Sequence, residues 1–241
     1  MSTINHVTLS DLQRIEIQAT TLFTHDGNGR ILTDNEPDGA AASRFFLGRT
    51  TAGHICRFRH DVPEEVVQQL KLWVAREPIP QDLREPPLYI EMYQRILETH
   101  APVQNISHGP AYHFPATITA PEGVTATRMT RDNAQALQPD FPWLFSQLDE
   151  MPPVFAVLHE CGAVAACFSS RFPGVANEAG VHTLEGFRGR GYAAAVVAGW
   201  ATAIRARGVM PLYGTTWSNL ASQAVARKLG LVLYGDDLDM R

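Results

Sequence analysis

The chain has 241 residues, of which 45% are hydrophobic and 19% charged, a composition typical of a globular protein with a sizeable core. Its net charge of −5 excludes a general electrostatic attraction to nucleic acid, so an anionic ligand must be held by a local basic site. No basic stretch followed by an apolar segment opens the chain, and its longest apolar run, 192–204, is too short to cross a bilayer. We therefore expect a soluble cytoplasmic protein that binds neither nucleic acid nor membrane.

The first half of the sequence predicts an α/β region without a catalytic signature. Ser10 is a good N-cap for a first helix, and Asp26-Gly27-Asn28-Gly29 is typical of a hairpin turn. The predicted helices are 11–21, 61–75 and 88–98, and the predicted strands are 22–24, 30–33, 44–47 and 55–59. Residues 101–121 contain three prolines and predict a connecting segment. We place a domain boundary there, between an N-terminal region of residues 1–115 and a C-terminal domain of residues 116–241.

The second half has a more regular pattern. Its predicted strands are 124–130, 154–159, 163–171, 176–184, 212–217 and 231–234, and its predicted helices are 131–137, 141–148, 192–207 and 219–229. The order is β-α-α-β-β-β-α-β-α-β, with an antiparallel front and β-α-β crossovers behind. This order predicts an α/β (α+β) fold, in which helices flank a mixed sheet.

A basic, glycine-rich corner joins the strand 176–184 to the helix 192–207. Gly189 and Gly191 leave backbone N–H groups uncovered where the helix begins, and Arg188 and Arg190 add two positive charges. We predict that this corner holds a phosphate-bearing ligand. The alternative is a plain strand-to-helix turn whose arginines point into water.

The corner and the element order together resemble the GNAT superfamily of N-acetyltransferases. Arg188, Gly191 and Ala193 occupy the three defined positions of that family's phosphate motif, Arg/Gln-x-x-Gly-x-Gly/Ala. A later family motif, an Asn-led helix that ends in Leu-Gly-Phe, is similar to the segment from Asn219 to Leu231. The resemblance covers residues 124–238, and the first half resembles the extra N-terminal region of some bacterial members.

The resemblance implies acetyl-CoA as co-substrate, no metal, and direct transfer of the acetyl group to an amine in a ternary complex. The acceptor would be a small-molecule amine or a protein amine, and a homodimer is left open. The pantetheine arm would lie along 181–183, where the strand splays from 212–217, and the pyrophosphate over 188–193. The predicted cofactor-binding residues are Val181, His182, Thr183, Arg188, Gly189, Arg190, Gly191, Tyr192, Ala193, Asn219 and Ser222.

Two competing phosphate motifs fit the corner less well. Residues 189–194 also match the dinucleotide fingerprint G-x-G-x-x-G/A, which needs an acidic residue about 20 positions further on. The equivalent segment, Pro211-Leu212-Tyr213-Gly214, has none. A P-loop is excluded because no Gly-Lys-Ser/Thr follows the glycines.

The general acid is not evident from the sequence. Many family members place a proton-donating tyrosine where this chain has Ala226, and Leu231 replaces the usual phenylalanine. Ser222 lies about one turn earlier on the same helix, so it is our candidate donor; the alternative is a capping or surface role. The change at Ala226 keeps two other functions open, a non-catalytic acyl-CoA-binding module and a transferase for a longer acyl group.

The general base has several candidates. His182 lies on the predicted cofactor strand and suits proton abstraction near neutral pH, although a strand histidine is often structural. Glu185 lies at the corner, where the alternative is a solvated side chain, and Glu178 lies further up the strand. A covalent route through Cys161 or Cys167 is not expected, because both fall in or beside a hairpin of buried composition. The odd number of cysteines, without CxxC spacing, also argues against disulfides and zinc.

Overall fold

The computed structural model describes residues 9–36, 41–160, 162–172 and 174–241. Within these ranges the helices are α1 (Asp11–Leu22), α2 (Glu64–Val74), α3 (Ile90–Glu98), α4 (Pro142–Ser146), α5 (Tyr192–Ala206) and α6 (Leu220–Lys228). The strands are β1 (Phe23–His25), β2 (Ile31–Asp34), β3 (Phe45–Thr50), β4 (Gly53–Phe58), β5 (Ile106–His113), β6 (Thr127–Met129), β7 (Val154–His159), β8 (Gly162–Arg171), β9 (Ala176–Thr183), β10 (Met210–Gly214) and β11 (Val232–Met240). Short 3₁₀ turns lie at Ala134–Leu137 and Glu185–Phe187.

Local sequence signals set several of these boundaries. Ser10 forms a capping box at the start of α1, because its hydroxyl accepts from the N–H of Gln13 and the Gln13 side chain accepts from the N–H of Ser10. Asp26 closes the β1–β2 hairpin by accepting from the N–H groups of Asn28 and Arg30. Both features were predicted and are confirmed.

The described strands other than β1 and β2 form one nine-stranded sheet in the order β4-β3-β11-β5-β10-β9-β8-β7-β6. β9 and β10 are parallel, and their neighbours in the sheet pair antiparallel. Helices cover both faces of the sheet, so the predicted mixed α/β class is confirmed. The strand 154–159 and the strand that follows it were placed correctly, whereas Cys161 in the turn between them lies outside the described residues.

The predicted connecting segment 101–121 was wrong in one respect, because it contains β5, a strand near the centre of the sheet. β5 pairs with β10 on one side and with β11 on the other. Gly109 lacks a side chain where the Thr215 carbonyl presses against it, and the Pro110 carbonyl accepts from the N–H of Thr215. The turn-forming composition therefore reflects a close backbone approach within a strand. The division between 1–115 and 116–241 stays a prediction.

The last strand is longer than the predicted 231–234, because acidic residues continue it. Asp236 is fully buried and accepts two hydrogen bonds from the Arg49 guanidinium, at 3.1 and 3.0 Å, and a third from His108. A charged pair of this kind satisfies a buried carboxylate, which hydrophobic patterning does not register.

Alternate residues of β10 face opposite layers of the fold. Leu212 packs with Ile15 of α1, whereas Tyr213 packs with Trp200 of α5. α4 covers the sheet on the face away from α5, where its Leu144 joins a separate cluster. The functional consequence is that β9 and β10 can be approached from two sides, the α5–α6 side and the α1–α4 side.

Candidate functional site

The parallel pair β9 and β10 separates part of the way along the sheet. Their ladder runs through the pairs Met210–Ala176, Pro211–Asn177 and Leu212–Glu178 and ends there. Beyond it, β9 continues to Thr183 while bonded only to β8 in the register recorded, and β10 continues while bonded to β5. The two strands therefore leave a wedge between residues 179–183 and 213–217, as the resemblance implied.

A cavity of about 500 Å³ opens at this end of the wedge, between β9, the start of α5 and α6. The predicted cofactor-binding residues that line it are Val181, His182, Thr183, Arg188, Gly189, Gly191, Tyr192, Ala193, Asn219 and Ser222. The structure thus brings together residues about 40 positions apart in sequence, and their roles in binding stay predictions.

The start of α5 has the character of an anion cradle. Gly191, at φ +84°, is the N-cap residue and offers no side chain to the first helical N–H groups. A Cβ at Gly191 would lie 2.7 Å from Lys228 Nζ, which reaches over the cradle from the last turn of α6. The free N–H groups, the helix dipole and this ammonium favour a bound phosphate.

Lys228 was not predicted as a ligand. It stands in the quoted Lys-Leu-Gly ending, but the sequence does not show that the end of α6 meets the start of α5. Arg190, which was predicted, is not brought into the cavity. Its guanidinium lies 5.3 Å from the centroid of the Phe187 ring and donates to the Gly186 carbonyl at 3.2 Å.

The strand side of the cavity has an unused polar group. The Thr183 hydroxyl is buried without a hydrogen-bond partner among the described residues. Arg188, which is exposed, donates to the Thr183 carbonyl at 3.4 Å. A buried hydroxyl without a partner costs free energy unless a ligand or water satisfies it.

α6 presents two polar side chains to the cavity. The Asn219 side chain caps the helix by accepting from the N–H of Ser222 at 3.0 Å. The Ser222 hydroxyl lies 2.7 Å from the Tyr213 hydroxyl, which comes from β10. Ala226, at the position of the usual family tyrosine, is 1% exposed in the core beneath α6.

The candidate bases occupy different places. His182 is exposed, lines the cavity and packs edge-to-face on Phe141 at 5.7 Å. Glu185 is exposed in a 3₁₀ turn outside the cavity lining, so the structure does not bring it to the wedge. Glu178 is 7% exposed, pairs with Arg171, and places Oε1 only 2.8 Å from where a Cβ on Gly214 would lie. Glu178 therefore stands at the vertex of the wedge, on its α1–α4 side.

Cys167 is fully buried in the core under α5, and burial raises the pKa of its thiol well above the ordinary value. This thiol is unsuited to nucleophilic chemistry. Cys161 lies outside the described residues.

Two searches of the described ranges returned nothing. No helix there combines the length and apolar character needed to cross a bilayer. In the same part of the chain, no group of three or more His, Cys, Asp or Glu side chains is arranged to hold a metal ion.

Comparison with known proteins gives a family for this site. The GNAT acetyltransferase family model matches residues 153–235, which include both lips of the wedge, the α5 cradle and α6. The resemblance drawn from the corner motif is therefore confirmed over this segment. No curated protein matches the chain.

Solved structures with similar folds come from several bacteria. A GCN5-related N-acetyltransferase-like protein from Streptococcus suis 89/1591 is 17% identical, with a TM-score of 0.49, over 82% of this chain and 84% of that chain. A GCN5-related N-acetyltransferase from Sphaerobacter thermophilus is 16% identical, with a TM-score of 0.48, over 85% and 78%. With a GNAT-family protein from Novosphingobium aromaticivorans DSM 12444, at 16% identity and a TM-score of 0.44, the match covers 57% of this chain and 65% of that chain, slightly under two thirds of its length.

Proposed function

From the membership of residues 153–235 in the GNAT acetyltransferase family, we propose that the protein transfers the acetyl group of acetyl-CoA directly to an amine. The single observation that carries the proposal is the wedge between β9 and β10, which ends at Leu212–Glu178 and opens toward the α5 cradle. A continuous ladder would leave no room between the strands. The reaction needs a thioester and an amine held side by side, and positioning of this kind supplies much of the catalysis in bimolecular transfers.

The residues of the cavity fit acetyl-CoA from one end to the other. The N–H groups after Gly191, together with Lys228, would hold the pyrophosphate. The edge of β9 and the unpartnered Thr183 hydroxyl would hydrogen-bond the amide-rich pantetheine arm. When bound, acetyl-CoA supplies an activated acetyl thioester; the chain's own groups bind and orient it.

The acceptor would approach from the α1–α4 side of the wedge, where Glu178 lies. Oε2 of Glu178 is occupied by Arg171, whereas Oε1 faces the backbone of Gly214. We propose Glu178 as the group that takes the proton of the acceptor ammonium at Oε1. His182 remains a second candidate, since it lines the cavity and is exposed.

Thermal stabilisation by acetyl-CoA and release of free thiol with a panel of amines test the proposal together. We expect acetyl-CoA to raise the melting temperature, because it binds the folded state, and thiol release to require an amine. Stabilisation without turnover on any amine would favour the alternative of a non-catalytic acyl-CoA-binding module. The absence of stabilisation would contradict the assignment as a whole.

A glutamate variant tests the cradle directly. Gly191→Glu places a side chain and a negative charge where the phosphate would lie, so we expect loss of acetyl-CoA binding. Gly208→Glu is the matched control, since Gly208 has φ +75° against +84° and a Cβ there meets nothing within 4 Å. Equal binding by both folded variants would show that the cradle does not hold the phosphate.

A further inference from the structure

A tyrosine from the sheet meets α6 at the edge of the cavity. Tyr213 follows Leu212 directly, so it is the first residue of β10 beyond the ladder with β9. It is 2% exposed, and its hydroxyl lies 2.7 Å from Ser222 Oγ and 3.4 Å from the Ser222 carbonyl oxygen. Ser222 itself lines the cavity. The pair therefore links a buried hydroxyl to a hydroxyl within reach of a bound ligand.

The same pair accounts for the alanine at the usual tyrosine position. Ala226 and Tyr213 belong to one core cluster, and Ala226 is 1% exposed. A tyrosine on the helix at this position would need space that the Tyr213 ring and its neighbours already fill. The aromatic hydroxyl near α6 comes from the strand instead.

The direction of the hydrogen bond between the two hydroxyls follows from the burial of the phenol. Burial is the main reason that the pKa of Tyr213 is raised to about 12, so the phenol keeps its proton throughout the neutral range. Asn219 fixes the first turn of α6 by accepting from the N–H of Ser222. When the phenol donates to Ser222 Oγ, the serine proton must point elsewhere, and the cavity that Ser222 lines is open to it.

We propose that Tyr213 positions the Ser222 hydroxyl to donate a hydrogen bond to the sulfur of coenzyme A, which makes Ser222 a catalytic residue and Tyr213 a positioning residue. This inference rests on the proposed function. When bound, acetyl-CoA supplies a thioester whose carbon–sulfur bond breaks with its electron pair passing to sulfur, and the amine proton leaves through the base to solvent. Ser222 keeps its own proton and stabilises the charge on sulfur; Tyr213 keeps its proton and holds Ser222 in place.

The test is a binding measurement that needs no acceptor. Calorimetry would give the affinities of CoA and acetyl-CoA from about pH 7 to about pH 10, a range that spans the titration of an ordinary thiol. A hydroxyl that favours the thiolate makes CoA bind more tightly as the pH rises, by about tenfold for each unit by which the thiol pKa falls on binding. Acetyl-CoA has no titrating thiol and supplies the baseline. We expect the ratio of the two affinities to rise with pH in the wild-type protein.

Three variants separate the roles. Ser222→Ala and Tyr213→Phe should each flatten the rise, while Ser218→Ala, which removes another hydroxyl just before the same helix, should leave it unchanged. Ser222 is only partly buried, so Ser222→Ala is expected to fold even if Tyr213→Phe does not. Circular dichroism checks both.

Each outcome bears on the inference. A ratio that does not change with pH in the wild-type protein, or a rise that survives Ser222→Ala, would overturn it. A rise that survives in folded Tyr213→Phe would overturn the positioning role. If the wild-type protein binds acetyl-CoA at no pH, the proposed function fails and takes this inference with it.

Discussion

Removal of the ammonium of Lys228 should weaken acetyl-CoA binding without affecting the fold. Lys228 Nζ lies 2.7 Å from the position that a Cβ on Gly191 would take, which is also where the N–H groups of α5 converge. The side chain is exposed, and it can be replaced by methionine without opening the core.

The size of the effect follows from the placement of the charge. A hydrogen bond to a charged group contributes about 1.5–3 kcal/mol, and we take the lower half of that range because water reaches the site. A loss of about 1–1.5 kcal/mol raises Kd for acetyl-CoA roughly five- to tenfold. Lys228→Met should also make binding less dependent on salt, because one screened charge is gone.

Calorimetric titration with acetyl-CoA at low and high salt measures both effects. Arg227→Met is the matched control, since it removes the same charge from the neighbouring residue of α6, which does not line the cavity. Wild-type affinity in Lys228→Met, or an equal loss in Arg227→Met, would refute a phosphate contact at the cradle and leave only a general effect of net charge.

Three further changes have defined outcomes. Glu178→Gln should lower kcat about a hundredfold and leave the Kd of acetyl-CoA unchanged, because a base acts on the acceptor. Gly109→Ala should lower the melting temperature by about 5–10 °C, since its Cβ would collide with the Thr215 carbonyl, whereas a Cβ at Gly186 meets nothing within 4 Å and Gly186→Ala should have little effect. Burial raises the pKa of Asp239 to about 6, so the folded state loses stability relative to the unfolded state as the pH rises from about 4 to 6; Asp239→Asn should gain stability relative to the wild type over that interval in urea unfolding.

Each of these has a result that would contradict it. A tighter or weaker Kd in Glu178→Gln with unchanged kcat would assign Glu178 to binding. Equal melting temperatures for Gly109→Ala and Gly186→Ala would show that the backbone near Thr215 yields easily. A difference between Asp239→Asn and the wild type that does not change with pH would mean that Asp239 titrates alike in both states.

The cradle could be predicted from sequence because its parts are local. Gly189, Gly191 and the start of α5 are consecutive, and a glycine-rich turn before an apolar helix dictates uncovered N–H groups regardless of the surrounding fold. The hairpin of β7 and β8 and the capping box of Ser10 are local in the same way. Each of these predictions depends on backbone chemistry within a few residues.

What the sequence did not reveal depends on contacts between distant segments. Lys228 reaches Gly191 only through the packing of α6 on α5, and Tyr213 reaches Ser222 only because the strand lies under the helix. β5 was missed because Gly109 serves a close approach of the chain at Thr215, and the same glycine in a sequence is typical of a turn. Its meaning is fixed by a neighbour about 100 positions away.

The central place of β5 has a practical consequence for dividing the protein. Residues 153–235 carry the family match, yet the strand between β10 and β11 comes from Ile106–His113. A fragment that begins after it would expose two unpaired strand edges, which favour self-association over folding. The two pieces 1–115 and 116–241, produced separately, would have to recombine by insertion of one strand into the other's sheet. The chain is thus suited to a split reporter, in which recovery of acetyl-CoA binding signals that the halves have met.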